Sequence, residues 1–233
     1  MLLRRAALLL LAVASSILVL GTPAIARTSD PDDDDGGKRC RTQKPQRFLE
    51  RPHYIVGGSM VPKRHDKAIR YRTEEYGYVE GFGSSKWNDH PPSYYAASTT
   101  FFDHTLSVHK KIVPALRCVE RDIKAKCKKD DYTADSVSGF RDRNTYRGGE
   151  ITNHLYGIAI DIDPHKNPCC HCVEPWSSDP LCQKEVKSPY ERAAIPACWI
   201  KSFERHGFYW LGHDELEDTM HFEFLGRPER VLR

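Results

Sequence analysis

Apolar residues recur at spacings of four, three and four along Ile112, Leu116, Val119 and Ile123. A period near 3.6 predicts a helix from Val113 to about Lys126, with Pro114 tolerated in its first turn. The same pattern predicts a second helix from Ile195 to His206, with Trp199, Ile200 and Phe203 on one side and Gly207 as its stop. Tyr156 to Asp163 alternates instead, which predicts a strand. Further strands are expected at Asp135–Phe140, leading into a turn, at Phe208–Leu211 and at His221–Leu225, with short ones near Tyr54–Val56 and Tyr76–Val79. Helices and strands intersperse without a βαβ rhythm. The expected class is therefore α+β, a small, mainly antiparallel sheet with flanking helices. Residues 40–107 are rich in Tyr, Pro and Gly and read as an irregular extension packed on a main domain of residues 108–233. No internal repeat is visible.

The first 26 residues follow a different rule. Arg4 and Arg5 precede an apolar run from Ala6 to Leu20, and Ala24-Ile25-Ala26 has a small-x-small pattern. This layout predicts a secretory signal peptide, with a run short for a membrane span. Residues 27–39, with Asp30 and Asp32–Asp35, read as a solvated acidic linker. No other segment is apolar enough to cross a membrane. The expected location is outside the cytoplasm, periplasmic or extracellular.

Charge narrows the partners. The formal net charge of +3 falls to +1 without the signal, because Arg4 and Arg5 go. A near-neutral chain argues against nucleic acid as a partner. All eight cysteines follow the signal, and an oxidising compartment favours disulfides. Eight cysteines allow 105 pairings. A local bridge between Cys118 and Cys127 is one expectation. Cys169, Cys170, Cys172 and Cys182 lie in a cysteine-rich insertion of about 164–194. Disulfides stapling it are favoured by export over a zinc knuckle using the Cys169–Cys172 spacing.

The chemistry concentrates in two segments. If residues 156–163 are a strand, Ile158, Ile160 and Ile162 share one face, and Gly157, Ala159 and Asp161 share the other. Two small side chains then leave space in front of a carboxylate, and His154 can reach that space. Alone, the pattern fits equally a helix packed on Gly157 and Ala159 with Asp161 capping it. In the second segment Phe222 and Phe224 alternate with His221 and Glu223, and Asp218 lies three residues before His221. Two histidines and one aspartate are the ligand count of a catalytic zinc that keeps an open position. Asp218 would sit beside that position as a proton acceptor. Glu223 would hold His221 from behind.

Four elements now stand in order: Ser138-Gly-Phe-Arg141, His154-x-x-Gly157-x-Ala159-x-Asp161, Gly207-Phe208-x-Trp210 and Asp218-x-x-His221-Phe222-Glu223. Together they resemble the motif series of the D-alanyl-D-alanine carboxypeptidase and L-alanyl-D-glutamate endopeptidase family of zinc peptidases, over roughly residues 136–226. The resemblance implies a small α+β fold related to the hedgehog N-terminal domain. It implies one zinc ion held by His154, Asp161 and His221, with Asp218 as general base. Arg141 would partner the substrate carbonyl and its developing oxyanion, and Thr152 and Ser138 would contact substrate. The implied substrates are peptidoglycan stem peptides. The competing expectation is a non-catalytic, zinc-stabilised module of the same fold that binds wall fragments or a protein. Asp218 and Arg141 separate the two, since a purely structural zinc needs neither.

Overall fold

The computed structural model describes residues 39–172 and 176–233. The signal segment 1–26, and the acidic linker apart from Arg39, lie outside the described residues. The chain runs through α1 (Arg51–Tyr54), a hairpin of β1 (Ile55–Val56) and β2 (Ser59–Met60), and α2 (Pro62–Tyr76). A longer hairpin follows, β3 (Ala96–Phe101) with β4 (His104–His109), and then α3 (Val113–Lys126). Next come β5 (Val137–Ser138), β6 (Ala159–Ile162), α4 (Pro180–Gln183), α5 (Ala197–Arg205), β7 (Phe208–Trp210) and β8 (His221–Phe224). The class is α+β. The central sheet has the order β5-β6-β8-β7, and every pairing in it is antiparallel.

The helix at 113–126 has the expected bounds. The other expected elements are shorter than the patterns suggested, except that no strand forms near Tyr76–Val79, where Tyr76 ends α2 and Val79 makes only an isolated bridge to Phe82, and the stretch 40–107 is more regular. It holds the 15-residue α2 and two hairpins. The inward side of α2 carries His65, Ala68, Ile69, Arg72, Thr73 and Tyr76, all buried. Its spacing is helical, but half of these residues are polar, so hydrophobicity does not reveal the period. This stretch joins the rest through Ile69, Tyr76, Phe101 and Leu106 in the main core, and through a smaller cluster of Leu49, Tyr54, Ile55 and Ala68 around Leu225, just after β8.

One face of the central sheet is dry. Ile160, Ile162, Phe222 and Phe224 pack into a core with Leu116, Val119 and Ile123 of α3 and Trp199, Ile200 and Phe203 of α5. The Phe203 and Phe222 rings stack with centroids 4.2 Å apart. Burying side chains of this size contributes about 1.5–3 kcal/mol each, so this face anchors the sheet. Alternation then turns Asp161, His221 and Glu223 to the opposite face.

Gly157 corrects the strand expected to begin at Tyr156. It has φ +66°, and a Cβ there would stand 2.4 Å from the Phe140 ring and 2.8 Å from the His109 backbone nitrogen. The residue belongs to a tight turn in which a side chain would clash, and it is not a floor under open volume. Gly207, at φ +89°, ends α5 as expected.

All eight cysteines are paired: Cys40–Cys118, Cys127–Cys198, Cys169–Cys172 and Cys170–Cys182. The expected Cys118–Cys127 bridge does not form. Nine residues of helix rise about 13.5 Å, beyond the reach of a disulfide. Cys127 instead ties the end of α3 to the start of α5. The sulfurs of the insertion are bonded to one another, which removes the zinc-knuckle alternative. No helix among the described residues is long and apolar enough to cross a membrane.

Candidate metal centre

The register of β6 against β8 sets Asp161 directly across from His221. Facing residues on neighbouring strands have Cβ atoms about 5 Å apart, within side-chain reach. His154 comes from the turn before β6. Thr152 shapes that turn: its Oγ1 accepts from the His154 backbone N–H at 3.4 Å, and its own N–H donates to Asn144 Oδ1 at 3.0 Å. The Gly157 N–H closes the turn on the His154 carbonyl at 3.0 Å, and the Arg141 N–H donates to the same carbonyl at 3.2 Å.

Three atoms meet. His221 Nδ1 lies 2.8 Å from Asp161 Oδ1, His154 Nε2 lies 3.2 Å from the same oxygen, and the two ring nitrogens are 3.1 Å apart. The far side of each ring decides its tautomer. His154 Nδ1 faces the Gly139 carbonyl at 2.5 Å and must donate to it. His221 Nε2 faces Glu223 Oε1 at 3.1 Å and donates there. The inward nitrogens are therefore free to offer lone pairs, next to a carboxylate oxygen. Ligands at about 2.0–2.1 Å in a tetrahedral zinc site stand about 3.3 Å apart, close to this spacing. The donor set fits zinc, with Gly139 and Glu223 orienting the two rings.

The electrostatics agree. Burial holds His154 below its ordinary pKa, against the pull of Asp161. Burial also opposes charge on His221, but its hydrogen bonds to Asp161 and Glu223 outweigh that and raise it to about 10. In the absence of a cation, a proton on His221 fills the space between carboxylates. Asp161 is held well below the usual carboxylate range, because the two imidazoles outweigh its burial. Glu223 lies below that range too, burial being outweighed by His221.

Asp161 and His221 line a cleft of about 460 Å³. Thr152, Arg141 and Asp218 line it, as does the Cys169–Cys172 disulfide. The insertion runs beside residues 216–219, with the Cys170 N–H on the Glu217 carbonyl at 3.2 Å and the Thr219 N–H on the Pro168 carbonyl at 3.0 Å. It thereby dries Asp218. Burial, reinforced by Asp161 and Glu223 and opposed by His221 and Arg141, lifts the Asp218 carboxyl to about 7. Asp218 Oδ1 is buried without a hydrogen-bond partner.

The remaining expected residues divide. Arg141 reaches the site but binds the second oxygen of Asp161, so it meets the ligand carboxylate before any substrate. Ser138 pairs with Asp161 in the sheet register, yet it is exposed and does not line the cleft. Asp163, the carboxylate nearest to Asp161 in sequence, turns away at φ +44° and accepts from the Asp135 and Ser136 N–H groups at 2.8 and 2.6 Å. Glu217 is ion-paired to Arg192 at 2.7 Å.

Two features were not foreseen. Arg51 of α1 forms a cleft wall, clamped by Glu150 at 2.8 Å and Asp214 at 2.7 Å, so the N-terminal stretch takes part in the site. Tyr146 also lines the cleft. Neither lies in a motif, and only their approach in space reveals them. Cys127, Asp130 and Cys198 form another close group, as do Cys169, Cys172 and Asp218, but their sulfurs are spent in disulfides.

Residues 146–224 match a family model described as D-alanyl-D-alanine carboxypeptidase. The match spans His154, Asp161, Asp218, His221 and Glu223, and it begins after Ser138 and Arg141. No curated protein and no solved structure matches the chain at a significant level.

Proposed function

We propose that this chain, whose residues 146–224 match a family model described as D-alanyl-D-alanine carboxypeptidase, is a peptidase of that kind, an exported zinc enzyme that hydrolyses peptide bonds in bacterial cell-wall stem peptides. The observation that carries the metal reading is the meeting of His154 Nε2, His221 Nδ1 and Asp161 Oδ1 within 3.2 Å, with both tautomers set for ligation. Zinc held there supplies Lewis acidity, polarising a carbonyl and lowering the pKa of water to about 7.

The chain's own groups do the rest. Asp218, lifted to about 7, takes a proton from the attacking water and passes it to the leaving amine. Arg141 steadies Asp161 and keeps a positive charge at the cleft where the carbonyl oxygen gains negative charge. Glu223 and the Gly139 carbonyl hold the two imidazoles in the ligating tautomer. Thr152 fixes the turn that carries His154 and borders the substrate. The insertion excludes water from Asp218.

A structural zinc site has no use for a buried, unpartnered carboxylate beside the metal. Asp218 therefore supports the enzyme over a non-catalytic binding module. Four disulfides among the described residues support an oxidising compartment. The test is incubation of zinc-loaded protein with defined muropeptides, read by mass spectrometry. Loss of a terminal D-alanine gives a carboxypeptidase, and cleavage between L-alanine and D-glutamate gives an endopeptidase. Intact muropeptides with full zinc occupancy would leave the binding module as the function.

A further inference from the structure

Tyr146 enters the cleft from the loop between Arg141 and the turn that carries His154. Its hydroxyl is buried and makes no hydrogen bond. A buried hydroxyl without a partner destabilises the fold, so packing alone gives no reason to keep it. The cleft has one other buried polar atom in the same condition, Asp218 Oδ1. One is a donor and the other is the carboxylate assigned to proton transfer. The same cleft thus carries one unused donor and one unused acceptor, which a bound molecule with both functions can satisfy.

Two of the cleft's three arginines are engaged, while the third, Arg147, is exposed. The Arg51 guanidinium is filled by Glu150 and Asp214, and that of Arg141 holds Asp161. The phenol also keeps its proton. Burial first, then the negative charges of Glu223, Asp218 and Asp161, hold its pKa well above the ordinary tyrosine value. A phenol beside three carboxylates donates well to an oxygen and is not itself a base.

We propose that the Tyr146 hydroxyl is a catalytic residue that donates a hydrogen bond to the scissile carbonyl oxygen and holds the negative charge that develops on it. The phenol keeps its proton throughout, and water remains the nucleophile. The proposal rests on the peptidase reading above and adds to it the neutral donor that acts beside Arg141.

Tyr146→Phe removes one oxygen and keeps the ring. Wild-type and variant are compared in three ways: peptide hydrolysis, zinc content, and calorimetric affinity for two analogues of a D-alanyl-D-alanine peptide. One analogue carries a phosphinate, which mimics the tetrahedral oxyanion. The other carries a methylene-amine in place of the amide and lacks the oxygen. The expected result is a fall in kcat of about 10²-fold with KM little changed. Phosphinate affinity falls by a similar factor, the methylene-amine analogue binds both proteins alike, and zinc content is unaltered. A variant with wild-type kcat and phosphinate affinity overturns the proposal. So does one that loses zinc or weakens toward both analogues equally, since the hydroxyl would then serve the fold. Wild-type protein that holds zinc but neither cleaves peptide nor binds the phosphinate overturns the peptidase reading, and the tyrosine's role with it. An active wild-type beside an equally active variant overturns the tyrosine alone.

Discussion

Asp161 and Asp163 lie at the same end of β6, and each is only 2% exposed. Burial does not distinguish them; their partners do. Asp163 is surrounded by neutral donors: the Asp135 and Ser136 N–H groups and the Tyr132 hydroxyl at 2.7 Å. Its charge is spread over bonds the fold already provides, and it clamps the segment 132–136. Asp161 faces the inner nitrogens of two imidazoles whose outer nitrogens are committed to the Gly139 carbonyl and to Glu223, with a guanidinium behind. Acceptors that face one another call for a cation. A buried carboxylate saturated by donors is thus a structural tie, and one that meets other acceptors is a candidate ligand.

The largest effect that separates the two carboxylates is metal content. Wild-type protein should hold about one zinc per chain. His154→Ala, His221→Ala and Asp161→Asn should each lose most of it in metal analysis, while the disulfides preserve part of the fold. Full occupancy in these variants would move the site elsewhere.

Asp218→Asn tests the base beside the Asp161 end. Zinc content should stay normal and muropeptide turnover should fall about 100-fold or more. An unchanged rate would reassign the base, and lost zinc would make Asp218 a ligand.

Proton and zinc compete for His221. Its folded pKa in the metal-free chain is about 10, against ~6.5 for an unfolded histidine. Apparent zinc affinity should therefore rise with pH, by up to ~10-fold per unit, and level off near about 10. The sign for stability is the opposite. The protonated ring stabilises the metal-free fold fully below ~6.5, and that contribution disappears as pH rises through about 10. Chelator competition at a series of pH values measures the first trend and denaturant unfolding the second. A flat affinity profile would remove His221 from the ligand set.

Glu223→Gln should weaken zinc binding by about 10- to 100-fold without abolishing it, in the same competition assay. Unchanged affinity would reduce Glu223 to an ordinary strand residue.

The smallest effect belongs to Asp163. Asp163→Asn should leave zinc in place and cost about 1–3 kcal/mol of stability by denaturant unfolding. Lost zinc with unchanged stability would invert the comparison.

Much of this was legible along the chain. Ile112, Leu116, Val119 and Ile123 marked α3, because a helix that buries one apolar side repeats at its own period. His221 and Glu223 alternating with two phenylalanines marked β8 and which side its polar residues take. Helix α2 was hidden because His65, Arg72 and Thr73 occupy its inward side, where the pattern looks for apolar residues. Ser138 shares a motif with Arg141 and stands across from Asp161, but it lies on the short edge strand β5, exposed and outside the cleft lining. Tyr146 and Arg51 stand in no motif, and their part depends on which walls the fold brings together.

The sequence by itself determined the α+β class, the candidate ligands His154, Asp161 and His221, and the neighbouring Asp218. Those follow from local period and residue type, which are properties of a short stretch of backbone. Tertiary structure alone decided the tautomers of the imidazoles, the pKa of Asp218, the pairing of Cys40 with Cys118, and the different fates of Asp161 and Asp163. Each of these depends on a partner brought close from elsewhere in the chain: His221 is 60 residues from Asp161 and Cys118 is 78 from Cys40. Charge, desolvation and bond formation act through space, and no period along the chain records which distant groups will meet.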